Sequence, residues 1–579
     1  MDAELIIKHV QIFNAYFKKF LYRDVAVADG KFIHISEADD MPLTAETIID
    51  GSGKYLIPGF IDIHMHIESS MTTPLQFAKA VVTQGVTTVV ADPHEMANVF
   101  GLEGIEALID IKCNELIDIF YGIPSSVPST SLELETSGGS IGVQDVERLL
   151  QGEDVLCLGE VMNFKDLVQN SDSTINQIIR LIKEKRPELV MEGHCPRISG
   201  LDLSKYINSG VDGDHTQQTV KSLEEKIQNG MFMEIQEKSM AKDNIDYLME
   251  NNLYEHFALV TDDVMADKLV EGHLNSLVKK AVQMGMTAEM AIYVSTYTPA
   301  KRMKLLDRGS VAPGKVADFI LLSDLDEFLI EAVYKRGVNV EEKTVGRAEH
   351  QQGFPAHFYK SIKLYKLSGS DFSITMPLHE PKVLCRIMNV QSDSTFTEER
   401  FDWLEAEQGH LMWPRSKYCL VSIFERYGIN KNRAYGLAGG EILQRGAVAS
   451  SYAHDSHNLL VMGKNTEDMV LAANWVIENQ GGICVAELGR IVAALELPVG
   501  GILSEEPLNI LAEKLKGVRQ ALKLLGYHHH NEIMSLSTLS LPVSPALKIS
   551  DRGLINVNGQ KIVSLLVETK QLKRRYPCG

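Results

Sequence analysis

No run of apolar residues in this sequence reaches the roughly 18 needed to cross a bilayer, which excludes a membrane-spanning helix. No CxxC pair occurs. The seven cysteines stand apart at Cys113, Cys157, Cys195, Cys385, Cys419, Cys484 and Cys578. An odd, unpatterned set in a long acidic chain points to reduced thiols and a cytoplasmic setting rather than a disulfide framework. Positive charge is scarce: 57 Lys and Arg stand against 77 Asp and Glu, a net charge of −20. That balance excludes nucleic acid or an anionic membrane surface as the main partner, but not a small neutral substrate. The opening MDAELIIKHVQIFNAYF lacks a basic start and a small-residue cleavage site, so no signal peptide is expected. HExxH and P-loop patterns, internal repeats and low-complexity segments are also missing.

What is present is ordinary globular composition, 45% hydrophobic and 23% charged, over 579 residues. That length implies two to four domains. Short β-rich pieces such as DVAVADGKFIHI fill the first 56 residues. From 57 to 308, apolar runs alternate with amphipathic helical stretches: YLIPGFIDIH, TPLQFAKAVVTQ, TTVVAD, then VLCLGEV, ELVMEGH, FMEIQEK and FALVTDD. Buried apolar strands separated by helices predict a parallel α/β fold, and about eight such units fit a (β/α)8 barrel. Residues 309–375 open with GSVAPGKVADFIL, which reads as a return to a small flanking β-sandwich domain, followed by a polar linker near 340–375. Residues 376–579 read as a C-terminal α/β domain.

The strongest chemical signal is Asp62-Ile63-His64-Met65-His66 at the end of an apolar strand. Side chains two apart on a strand share a face, so His64 and His66 can aim at one metal. The C-terminal ends of strands are where barrel enzymes assemble their sites. Further candidates close later strands: Glu160 after VLCLG, His194 after VMEG, His215 after VDGD and Asp262 after ALVT. Any one alone reads as an ordinary strand-end polar residue; together they form a His and carboxylate set at one end of the fold. A carboxylate such as Glu160 can bridge two cations, and two metals can share a hydroxide and lower its pKa towards neutrality. Asp262 is the carboxylate expected to hold and pass on that hydroxide's proton.

These residues, together with GSVAPGKVADFIL at 309–321, resemble the amidohydrolase superfamily. More narrowly, the chain resembles the bacterial adenine deaminase family nearly end to end. The likeness runs through PGFIDIHMHIESS (58–70), ADPHEMANVFG (91–101), SSVPST (125–130), GEVMNF (159–164) and EGHCPRISG (192–200). It continues in VTDDVMADKLVEGHLN (260–275), SYAHDSHNLLVMG (451–463), LPVGGILS (497–504) and LPVSPALKISDRGL (541–554). The resemblance implies hydrolysis of adenine to hypoxanthine and ammonia. It also implies two divalent metal ions per chain, Mn(II) or Fe(II), with Zn(II) compatible. By position it makes His64, His66, Glu160, His194, His215 and Asp262 the metal set. Glu68, on the side of His66 if the strand continues, would serve the proton that the ring nitrogen must gain. Asp92, His94, Glu95 and Asn98, placed in the loop after TTVVA, would shape the pocket or support the ligands; the alternative is a loop-fixing hydrogen-bond cluster. Asp263 and His273 fall in the matching stretch as pocket or supporting residues. His454 and His457 would touch substrate from the C-terminal domain, or else form a buried polar turn. The run His528, His529 and His530 reads as a solvated loop, and the basic tail KQLKRRYPCG as an exposed terminus. As a large enzyme of this kind the chain is expected to form a homo-oligomer, dimer or larger.

Some positions depart from the family pattern. Thr216 replaces an acidic residue after His215; Gln236 and Lys238 replace an Arg and a Gly; Asn275 replaces an Asp. The ligand set is intact while its neighbours have drifted, which leaves another aminopurine, a pterin or a cyclic amide open as substrate. Barrel hydrolases of cyclic amides often carry a carbamylated Lys where Glu160 stands. The zinc deaminases with HxE and a later PCxxC are excluded, because the sole Pro-Cys pair is Pro577-Cys578. From a different class, a non-catalytic purine- or metal-binding protein would have no reason to keep all six ligands.

Overall fold

The computed structural model describes residues 2–344, 353–376 and 380–567. The basic tail, Cys578 and part of the expected 340–375 linker lie outside the described residues. The chain divides into two compact units. One comprises residues 1–93, 108–125 and 142–352; the other comprises 94–107, 126–141 and 353–579.

The first unit opens with β1 (Ala3–Asn14), β2 (Lys19–Ala28), β3 (Lys31–Glu37), β4 (Ala45–Asp50) and β5 (Tyr55–Pro58). It then runs through eight short parallel strands. β6 (Phe60–Met65), β7 (Val86–Ala91), β8 (Asp118–Ile123), β9 (Val155–Val161) and β10 (Val190–Gly193) form a sheet of five. β11 (Gly213–Asp214), β12 (Phe232–Ile235) and β13 (Phe257–Leu259) form a sheet of three. A parallel bridge between Met65 and Asp262 ties the stretch after β13 to β6, and the Asp212 N–H donates to the Met191 carbonyl at 3.3 Å beside β10. The arrangement is TIM-barrel-like.

Strands β6, β7, β10, β12 and β13 are buried along their whole length, as parallel strands covered on both faces must be. The helices between strands are amphipathic. Thr174–Lys185 buries Ile175, Ile178, Ile179 and Ile182, spaced for one helical face. Its N-terminus is capped by the Ser173 hydroxyl, and Lys183 and Lys185 sit in its last turn, where the helix dipole favours cations.

The chain then returns as β14 (Phe319–Asp324), β15 (Leu329–Lys335) and β16 (Val338–Asn339); β14 pairs antiparallel with β5. In the flanking β-domain, expected as a small β-sandwich, the eight strands hydrogen-bond in one branched sheet. β1 is the cause. A bulge between Ile7 and Val10, with His9 at φ 57°, lets its first half pair with β4 and its second half with β5.

A buried ion cluster joins this sheet to the barrel strands. The Asp118 carboxylate accepts from Arg308 Nη1 and from Lys335 Nζ, each at 2.7 Å, and Lys335 also donates to Asp318 at 2.6 Å. Burial alone would raise the Asp118 carboxyl, but Lys335 and Arg308 hold it below its ordinary value.

In the second unit, nine strands form a mostly antiparallel sheet whose one parallel pair joins Lys382–Val390 to Arg433–Gly440. Helices Thr466–Glu478 and Leu508–Leu524 pack against it. The residues of 528–530 are not all solvated. His529 is buried, with its ring nitrogens against the carbonyls of Asn531 (3.0 Å) and Ser394 (3.1 Å). The six described cysteines are buried and unbridged, and among the described residues no helix is long and apolar enough to cross a membrane.

Removing Asp118 leaves Lys335 with Asp318 and Arg308 with Asp307, one counter-charge fewer for each buried cation, so Asp118→Ala should cost up to about 3–5 kcal/mol at pH 7. A depressed carboxyl contributes fully above its unfolded pKa and loses that contribution as pH falls through its folded one. The gap to wild type should therefore narrow below about pH 4. Urea midpoints measured at both pH values check this; equal midpoints at pH 7 would contradict it.

Candidate metal centre

His64 and His66 leave β6 on one side, with rings edge to face and centroids 5.2 Å apart. His194 follows directly on β10, His215 on β11, and Glu160 sits near the end of β9. The bridge to Met65 brings Asp262 in from the stretch after β13, with φ 59°. The ligand atoms converge. His66 Nε2 is 3.5 Å from Asp262 Oδ1, and His64 Nε2 is 3.8 Å from the same oxygen. Glu160 faces two groups with its two oxygens: Oε1 is 3.8 Å from His66 Nε2, while Oε2 is 2.8 Å from His194 Nδ1 and 3.2 Å from His215 Nε2. All six predicted ligands thus lie together; His194 alone is partly open to solvent.

Burial and the neighbouring His215 pull the His64 imidazole down to about 4, so it offers a free lone pair at neutral pH. Burial would raise Glu160 and Asp262. His194 and His215 instead hold Glu160 well below the usual carboxylate range, and Lys238, His64 and His66 do the same for Asp262. The carboxylates raise the His66 and His215 imidazoles in turn, although burial opposes them, and imidazoles and carboxylates within a few ångströms form a donor set suited to Mn(II), Fe(II) or Zn(II).

The surrounding residues hold these ligands from behind. The Asp92 carbonyl meets His66 Nδ1 at 2.9 Å, and the Asp92 carboxylate accepts the Glu160 N–H at 2.9 Å. Asp62, beneath His64, accepts from the Thr261 hydroxyl at 2.6 Å, and His273 Nε2 lies 3.1 Å from that hydroxyl. His273 is therefore part of the brace between β6 and the Asp262 stretch, and burial pulls its imidazole down to about 3. Asp263 accepts from the Ser69 hydroxyl at 2.5 Å. Glu68 does not continue the strand: β6 ends at Met65 and Glu68 is buried in a 3-10 turn, Ile67–Ser70, which removes the period-two argument for its direction.

The drifted positions have partners of their own. The Thr216 hydroxyl donates to Asp214 at 2.7 Å, Gln236 donates to the His215 carbonyl at 2.9 Å, and the Asn275 side-chain oxygen accepts the His273 N–H at 2.9 Å. Lys238 Nζ lies 3.7 Å from Asp262 Oδ2.

Two supporting groups were not singled out from the sequence. Asp214, the last residue of β11, accepts from Lys226 (2.7 Å), Gln218 (2.5 Å) and the Cys195 N–H (2.9 Å), so one carboxylate fixes the strand ends that carry both His194 and His215. Glu234 on β12 lies behind His64 and His215; burial, with Glu192 nearby, pushes its carboxyl well above the usual range. A carboxyl in the middle of FMEI, flanked by apolar residues, was the signal available for it.

His94, Glu95 and Asn98 are not in a loop: they lie on the helix His94–Phe100, in the second unit. Helix-forming residues follow Pro93 directly, and Asn98 fixes the adjoining chain by accepting the N–H groups of Gly138 (2.7 Å) and Gly139 (3.0 Å) through its backbone carbonyl. Within that unit the Glu95 carboxylate binds His454 Nδ1 and His457 Nε2, and these imidazoles hold it well below its usual range although burial opposes them.

Asp214→Ala would bury the Lys226 ammonium without its counter-charge, a loss of about 3–5 kcal/mol. Adding Lys226→Met should return part of it, and only part, because the other donors to Asp214 stay unpaired. Denaturation midpoints of the single and double variants give the comparison; no recovery would contradict the pairing.

The amidohydrolase family model matches residues 55–340, and the model described as adenine deaminase C-terminal domain matches residues 394–561. An adenine deaminase of Clostridium perfringens is 56% identical over 98% of this chain and 100% of its own length. An adenine deaminase 2 of Shouchella clausii is 51% identical over 98% of this chain and 100% of its own. A solved β-aspartyl dipeptidase from Fervidobacterium islandicum, 20% identical, covers 59% of this chain and 96% of its own with a TM-score of 0.46. With full-length relatives at this identity, the chain belongs to the adenine deaminase family of amidohydrolases.

Proposed function

We propose that this chain hydrolyses adenine to hypoxanthine and ammonia at a binuclear metal centre at the mouth of a closed (β/α)8 barrel. We take that barrel to span 57–308, apart from the stretches 94–107 and 126–141. The observation that carries the reading is Glu160: one of its oxygens faces His66 and the other faces His194 and His215, an arrangement suited to a carboxylate shared between two ions. The names of the full-length relatives supply the substrate.

His64, His66 and Asp262 would hold one ion, His194 and His215 the other, and Glu160 both, with Mn(II) or Fe(II) the expected ions and Zn(II) compatible. Bound there, the pair would supply a water acidified towards neutrality. The rest falls to side chains. The reaction joins the water oxygen to the purine carbon that bears the amino group and breaks that carbon's bond to the amino nitrogen. Asp262, facing both His64 and His66, takes the water's proton and returns it to the departing amine. The ring nitrogen beside the reacting carbon gains a proton on addition and keeps it in hypoxanthine; Glu68, buried in the 3-10 turn that follows His66, is the group assigned to supply it, and the proton the hydroxyl loses as the carbonyl forms restores Glu68. Asp92 holds Glu160 and His66 in place throughout. Lys238 beside Asp262 keeps that carboxylate ionised between turnovers.

Asp262→Asn should lower ammonia release from adenine by about 10²–10⁴-fold, and His64→Ala at least as much, with the folded spectrum retained. Wild-type rates in either variant would overturn the site. The same assay with other aminopurines, pterins and cyclic amides tests the substrate: turnover of one of these, with none of adenine, would move the substrate and keep the chemistry.

A further inference from the structure

We propose that Glu234 is a positioning residue of the metal centre: one of its carboxyl oxygens accepts the Nδ1–H of both His64 and His215, and so aims their Nε2 lone pairs at the ions. The proposal rests on the metal-centre reading above.

Glu234 stands on β12 between the fully buried Met233 and Ile235, and is itself fully buried. Neither of its oxygens has a hydrogen-bond partner among the described residues. Its Oε2 lies 3.9 Å from His64 Nδ1 and 4.0 Å from His215 Nδ1. The two imidazoles stack with centroids 3.8 Å apart and planes 20° from parallel, which presents both Nδ1 atoms to the same oxygen. Their Nε2 atoms point the other way, His64 towards Asp262 and His215 towards Glu160.

A metal-ligating imidazole nearly always donates its other ring N–H to a carboxylate, carbonyl or water, which fixes the tautomer and the ring plane. For His66 that partner is the Asp92 carbonyl. His194 is turned round, with Nδ1 facing Glu160. His64 and His215 remain, and Glu234 is the acid that faces both. The separations exceed a hydrogen bond by about 1 Å, a gap that small shifts in a side chain with several rotatable bonds can close. Because both approaches are to one oxygen, the role holds for a carboxylate and for the carbonyl oxygen of a neutral acid alike. Packing alone does not call for an acid here: a Met of similar length would fill the space without the cost of burying an unpaired polar group.

The test compares Glu234→Met, which removes the acceptor, with Glu234→Gln, whose amide carbonyl keeps it. Chelator-treated protein is titrated with Mn(II), and free Mn(II) is read by electron paramagnetic resonance. Wild type should bind two ions per chain. The Met variant should bind them roughly 10–100-fold more weakly, with an unchanged melting temperature, and the Gln variant should stay close to wild type. Wild-type affinity in the Met variant overturns the proposal. So does an equal loss in both variants, since an acceptor would then make no difference. If wild type itself binds no Mn(II), the metal-centre reading falls and takes this proposal with it.

Discussion

Six side chains, five of them buried and His194 partly open, meet within a few ångströms at the proposed metal centre and set the terms for the rest of this fold. Four imidazoles and two carboxylates are withdrawn from water at the ends of parallel strands. Isolated, each ionised group would be costly to bury, and the carboxylates stay ionised only because cationic or polarisable partners surround them. A pair of divalent ions fits that balance, because their charge compensates carboxylates that imidazoles alone offset only in part. The strand ends must therefore be held rigidly, or the like-charged groups would move apart.

That rigidity comes from polar groups placed behind the ligands. Asp92 ties β7 to β9 and to His66. Asp62, Thr261 and His273 brace the Asp262 stretch against β6. Asp214 and Lys226 lock the ends of β10 and β11. At a distance from the ligands, Asp118, Arg308, Lys335 and Asp318 tie the flanking sheet to the strands. Asp214 with Lys226, and Asp118 with Arg308 and Lys335, are buried charges with partners, so the cost of losing one member is large and local. The drifted positions follow the same rule: Thr216, Gln236 and Asn275 differ from the family pattern yet each makes a hydrogen bond within the brace.

Much of this was legible in the sequence, for reasons that differ by element. Alternating apolar runs and amphipathic stretches mark parallel strands and covering helices, and HxH on a strand forces two imidazoles to one side. The strand-end positions of Glu160, His194, His215 and Asp262 follow from chain order alone. What was hidden depends on contacts between distant residues. Nothing near Lys226 announces a partner 12 residues back, and nothing in FMEI shows that Glu234 faces two histidines from other strands. The branch in the flanking sheet, where β1 pairs with both β4 and β5, was hidden as well because register is a three-dimensional property. His94 to Asn98 read as loop because the helix is short and its Pro93 start resembles a turn.

The central claim is that two ions, not one, are held by these ligands and are required for turnover. Stepwise addition of Mn(II) to chelator-treated protein, with ammonia release from adenine followed at each step, tests it most directly. The account predicts negligible release without metal and a rise that levels off at two equivalents per chain. A plateau at one equivalent, or turnover by the metal-free protein, would contradict it.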